Sequence, residues 1–167
     1  MGSSNKSEEF QSPFVTNIKK VLPEWIDYNG HMNVAYYTLA FDRAIDFFLE
    51  ETLGIGPSYV KQVNQGPYSI QANYYYLKEL KKGDKFRSKI FIIDADKKKV
   101  HMVLEMVNLA IEEKVAICET LLINVDLNLR KSTPYPDLAQ DKILEYKKAC
   151  EEFVFPKEVG KPITLKK

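Results

Sequence analysis

Cysteine is scarce in this chain: 167 residues hold only Cys118 and Cys150, too few for a disulfide framework. Cys118 lies inside an apolar run, where a thiol behaves as a small buried hydrophobe. Histidine is equally scarce, and His31 and His101 stand far from both cysteines and from each other, so no zinc spacing forms. These shortages point to a reducing, cytoplasmic setting without a metal site. An excess of one charge is also missing, since 24 basic and 23 acidic side chains leave a net +1. That balance gives no broad attraction to nucleic acid or to an anionic membrane. No stretch is apolar enough to span a bilayer. The opening M-G-S-S-N-K lacks the apolar core of a secretory signal, and Lys6 stands where a myristoylation pattern carries Ser or Thr. Residues 1–12 are expected to be a flexible polar arm.

What is present is the ordinary balance of a globular domain, 45% hydrophobic and 28% charged. No repeat and no Gly-, Pro- or Ser-rich linker divides it. A first strand is expected over Phe14–Leu22, ended by Pro23. A helix from Val34 to Leu53 follows from Val34, Tyr37, Phe41, Ile45, Phe48 and Leu49 recurring at helical spacing. Asn33 is placed to cap its start and Gly54 to stop it. Four strands should follow: Tyr68–Leu80, Lys85–Asp94, Lys99–Leu109 and Val115–Val125. The short polar joints between them suit antiparallel hairpins. Phe86, Ser88, Ile90 and Ile92 share one face of their strand, as do Val100, Met102, Leu104 and Met106. Asp137 should cap a last helix reaching about Phe153. A long helix followed by long antiparallel strands is an α+β layout, a curved sheet around one helix. Such a sheet leaves open edges, which pairing with a second copy would cover.

Several chemistries lack their motif. Gly56-Pro57-Ser58-Tyr59-Val60 misses the closing glycine of a nucleophile elbow. Gly54-Ile55-Gly56 misses the third glycine of a dinucleotide turn, and no phosphate loop or metal spacing exists. The remaining candidate is W-I-D-Y-N-G-H-M-N, residues 25–33, directly before the long helix. Free amides at a helix start carry partial positive charge and can stabilise an oxygen that becomes negative in a transition state. Asp27, on the preceding loop, could act there as nucleophile or as general base. Gly30 allows close backbone approach. The same residues serve equally as plain turn and cap chemistry, and the residues alone leave both readings open.

Asp27, two residues, Gly30-His31, one residue, then Asn33 and Tyr37 resembles the signature of hotdog thioesterases of the 4-hydroxybenzoyl-CoA thioesterase type. The resemblance implies a hotdog fold over residues 13–130, with residues 131–167 as a helical extension on the same domain. It implies that Asp27 is the catalytic carboxylate and that amides near Asn33 and Val34 polarise the thioester carbonyl. Gly30, His31 and Asn33 would support the loop. Two departures stand out: Trp25 replaces the second Asp that many relatives carry, and Met32-Asn33-Val34 follows the histidine where Asn-Asn is common. Residues from Pro23 and Phe41, then from Lys97 and Phe155, are similar to the betainyl-CoA thioesterases of carnitine degradation. That likeness implies a trimethylammonium acyl-CoA as substrate, a cation that aromatic rings attract. Trp25, Tyr28 and Tyr37 are the expected substrate-binding rings. No cofactor is implied, CoA entering with the substrate, and a homodimer or homotetramer is expected. The alternatives are hydrolysis of another small or aromatic acyl-CoA, a non-catalytic acyl-binding hotdog module, and a dehydratase of the same fold.

Overall fold

The computed structural model describes residues 12–165, so the expected arm over residues 1–12 lies almost wholly outside them. Two short strands, β1 (Phe14–Val15) and β2 (Lys19–Lys20), precede a 3₁₀ turn at Pro23–Trp25 and the long helix α1 (Val34–Phe48). A π-helical turn, Leu49–Leu53, extends α1, and α2 (Pro57–Val63) leads into β3 (Gln65–Tyr76). Then come β4 (Lys85–Ala95), β5 (Lys99–Asn108), β6 (Glu113–Asp126), the short β7 (Lys131–Ser132) and α3 (Asp137–Ala149).

The sheet is antiparallel in the order β1-β4-β5-β6-β3, with β2 also on β4 and β7 on β6. The expected first strand is thus broken in two. Thr16 causes the break: its Oγ1 accepts the Ser88 amide at 2.9 Å, a proton that an unbroken ladder would give to a backbone carbonyl. Helix α1 begins where the expected cap places it, and its π-helical continuation ends at the expected stop. Asn33 Oδ1 accepts from Ala35 N at 2.9 Å, and Gly54 adopts the left-handed φ of 68° that terminates the π turn. At α3 the expectation needs correcting. Pro136 occupies the cap position and Asp137 is the first helical residue, where its charge still complements the helix dipole.

Helix α1 lies on one face of the sheet, burying Tyr37, Phe41, Ala44 and Phe48. Val34 departs from the expected buried stripe and is exposed. The facing residues of β4, β5 and β6 (Ile90, Met102, Leu104 and Cys118 among them) are sealed beneath it. Central residues of the other face, Val103 and Ile117, are also buried. The cover there is the chain after α3: Phe153 stacks on Phe91 at 3.5 Å, Gly160 N donates to Glu119 Oε2 at 2.9 Å, and Tyr75 OH donates to the Lys161 carbonyl. Helix α3 clamps the β1 edge through Tyr146, whose hydroxyl donates to Ile90 O and accepts from Phe14 N. Among the described residues no helix is long and apolar enough to cross a membrane.

Candidate active site

Residues 25–33 form a miniature hairpin. Asn33 N donates to Trp25 O at 2.9 Å, Asp27 N to His31 O at 3.0 Å, and Gly30 N to Asp27 O at 3.0 Å. Ile26 bridges Met32 between these rungs. The turn Asp27-Tyr28-Asn29-Gly30 closes because Gly30 takes φ 83°, a region that side chains disfavour. Asp27 Oδ1 accepts the Asn29 amide at 2.8 Å, an Asx turn that fixes the carboxyl's orientation. Its other oxygen has no hydrogen-bond partner among the described residues. Buried Met32 anchors the hairpin, its amide donating to Leu80 O at 2.7 Å.

The hairpin runs straight into α1, and the amides there can be accounted for one by one. Asn33 N is taken by Trp25 O, Ala35 N by Asn33 Oδ1, and Tyr36 N by Asn33 O. Val34 N alone in this stretch meets no acceptor among the described residues. The expectation of amides near Asn33 and Val34 therefore narrows to Val34, with Asn33 serving as the cap. Beside Val34 lies a cavity of about 250 Å³ lined by His31, Met32, Tyr37, Tyr76 and Lys78. The His31 ring is partly buried, with Nδ1 3.4 Å from Met32 O. Tyr37 forms a wall. Its hydroxyl accepts from Leu80 N at 3.1 Å and its ring meets Tyr76 edge-on, while burial raises its phenol above the ordinary range against the Leu80 hydrogen bond.

Trp25 and Tyr28 do not share a wall. Trp25 is buried and stacks on Tyr36 at 5.3 Å. Tyr28, at the hairpin tip, is 96% exposed. Trp25 instead faces a second cavity that also carries Arg43 and Lys19, charges of the wrong sign for a trimethylammonium group. A third cavity, along the opposite side of α1, carries Asp42, Asp46, Tyr74 and Cys118. Burial, and then the Asp42 charge, raises the Asp46 carboxyl. Asp42 is eight residues beyond Val34, or ~12 Å along the axis, beyond the reach of a small acyl group held at the Val34 amide. The residues that sequence reasoning missed, Lys78 and Leu80, belong to the connection from β3 to β4. Only the pairing of β3 with β6 brings that segment beside the hairpin.

This hairpin and helix fall within residues 21–143, which match the thioesterase-like superfamily. The chain belongs to that superfamily. The betainyl-CoA thioesterase of Pseudomonas aeruginosa is 26% identical over 145 residues, covering 87% of this chain and 91% of that protein. The L-carnitine dehydrogenase/betainyl-CoA thioesterase of Rhizobium meliloti is 25% identical over 99% of this chain. The chain spans only 33% of that relative's length. A Staphylococcus aureus protein solved in complex with CoA superposes with a TM-score of 0.85 at 24% identity, covering 92% of this chain and 95% of that one. The fold of this superfamily member is the hotdog fold, with α1 as the wrapped helix.

Proposed function

We propose that this thioesterase-superfamily chain hydrolyses an acyl-CoA thioester to a free acid and CoA, with Asp27 as the working carboxylate. One observation carries the proposal: the hairpin holds a carboxylate with an unengaged oxygen and runs directly into the unsatisfied Val34 amide, which borders a cavity. An acyl carbonyl oriented on Val34 N would gain a donor where negative charge develops, backed by the positive end of α1. Asp27 then has two routes. It attacks the carbonyl carbon and expels the CoA thiolate, leaving an anhydride that water cleaves, or it takes a proton from the water that attacks. His31, Gly30 and Asn33 hold the hairpin and cap. No cofactor of the protein's own takes part, and two reduced cysteines suit a cytoplasmic home.

Betainyl-CoA is the proposed substrate, on the strength of the named relatives. Exposed Tyr28 is the ring positioned to meet a cation entering from solvent. The test is release of free thiol from betainyl-CoA against aliphatic and aromatic acyl-CoAs. A kcat/KM for betainyl-CoA at least tenfold above the others supports the substrate, whereas no thiol release from any of them defeats the enzymatic reading. Single turnover in ¹⁸O-water tests the anhydride route: unlabelled acid, with the label carried into Asp27, means that Asp27 attacked and water cleaved the anhydride at the Asp27 carbonyl. We further propose that β3 pairs with a second copy. It is the sheet's open edge and exposes Tyr68 and Ile70, a combination that unpaired monomers rarely keep. Light scattering should show a dimer or tetramer, and a stable monomer would refute the pairing.

A further inference from the structure

The cavity behind Trp25 lies between α1 and the β1–β2 edge, away from the cavity beside Val34 and from the open β3 edge. Its volume is about 270 Å³, or about nine water volumes at ~30 Å³ each. The walls are largely apolar, from Ala40, Ala44, Phe47 and Phe86. Two cations, Lys19 and Arg43, stand on its exposed side, and neither makes an ion pair or side-chain hydrogen bond among the described residues. Ser88 and Trp25 also line it. Ser88 is 2% exposed and Trp25 is 8% exposed, so both side chains form the inner wall.

We propose that this cavity binds an amphipathic monoanion, a carboxylate carried on an apolar tail. The tail lies against Phe47, Phe86 and the small Ala40 and Ala44. The carboxylate sits between Arg43 and Lys19, since a planar guanidinium matches its two oxygens. A cationic amphiphile meets repulsion from the same two side chains, and a bare inorganic anion gains nothing from the apolar walls. The available volume suits a tail of about six to seven carbons, given a size of ~30 Å³ per water-sized group. The proposal stands independently of the thioesterase reading, because none of these side chains belongs to the Asp27 hairpin's chemistry.

Trp25 is the single tryptophan of the chain, so its emission reports directly on this cavity. Octanoate, octyltrimethylammonium, octanol and inorganic phosphate would each be titrated into the full chain. Octanoate should give a saturable emission change, with the other three at least tenfold weaker. Arg43→Gln and Lys19→Gln should each weaken octanoate by roughly tenfold, the worth of one charge-assisted hydrogen bond, with unchanged thermal midpoints. No saturable change with octanoate overturns the proposal. So does an equal response to the ammonium amphiphile, or octanoate binding that both variants retain.

Discussion

Replacing Asp27 by Asn separates chemistry from architecture, because the structure shows how little else the substitution touches. Asn retains an oxygen at the Oδ1 position, so the Asn29 amide keeps its acceptor. The rungs Asp27 N–His31 O, Gly30 N–Asp27 O and Asn33 N–Trp25 O are all backbone and do not depend on the side chain. What is lost structurally is the charge on one partly solvated acceptor, about 1 kcal/mol at most. For a chain of this length that corresponds to a fall of about 2–4 °C in thermal midpoint. The chemical loss is far larger. Removing a general base costs ~10²–10⁴-fold, equivalent to about 3–5 kcal/mol of barrier. Thiol release from acyl-CoA, followed with a thiol reagent beside a melting curve, compares the two losses in one preparation. Background from the protein is small because Cys118 and Cys150 are both buried. A variant that melts within a few degrees of the parent and keeps more than a tenth of its turnover would refute the mechanism and leave Asp27 as a turn residue.

Other expectations follow from single contacts. Asn33→Ala removes the cap on Ala35 N and should cost about 1 kcal/mol, read as a fall in thermal midpoint, with Asn33→Asp restoring most of it. Tyr146→Phe deprives Phe14 N and Ile90 O of their shared hydroxyl and should cost about 2–4 kcal/mol, seen as a lower urea midpoint at unchanged slope. Cys118 should resist thiol reagents until the chain is unfolded, because burial pushes its thiol from 9.0 up to about 12. The folded state therefore holds a proton that the unfolded state releases: the stability from Cys118 is whole below pH 9.0 and declines as pH rises from there toward 12. Urea midpoints of the parent and a Cys118→Ala variant across that window check the difference.

Much of the fold is written in local patterns. The α1 stripe, the Asn33 cap and the Gly54 stop act within a few residues of one another, and β4, β5 and β6 carry their alternation within single strands. Features set by distant partners were not legible. The break at Thr16 depends on Ser88, 72 residues away. Helix α2 has seven residues, too short to show a period, and its start is held by Glu50 Oε2 accepting from Ser58 N. Strand β3 begins earlier than its apolar pattern suggests and contains Pro67, which an edge strand tolerates because its missing N–H costs no rung. At the site, the motif located the hairpin and the cap. Which amide remains unsatisfied emerged only once the Trp25 carbonyl was seen accepting from Asn33.

The Tyr146 hydroxyl ties Phe14, 132 residues earlier in the chain, to Ile90. On a ribosome adding ~5–20 residues per second, those residues would take roughly 7–26 s to appear. Over the last 56 residues of that interval the β1 segment can meet β4 but not the side chain that locks both. The first strand in sequence is thus among the last to be secured, and a chaperone that shelters the nascent N-terminal segment would act on this open rung.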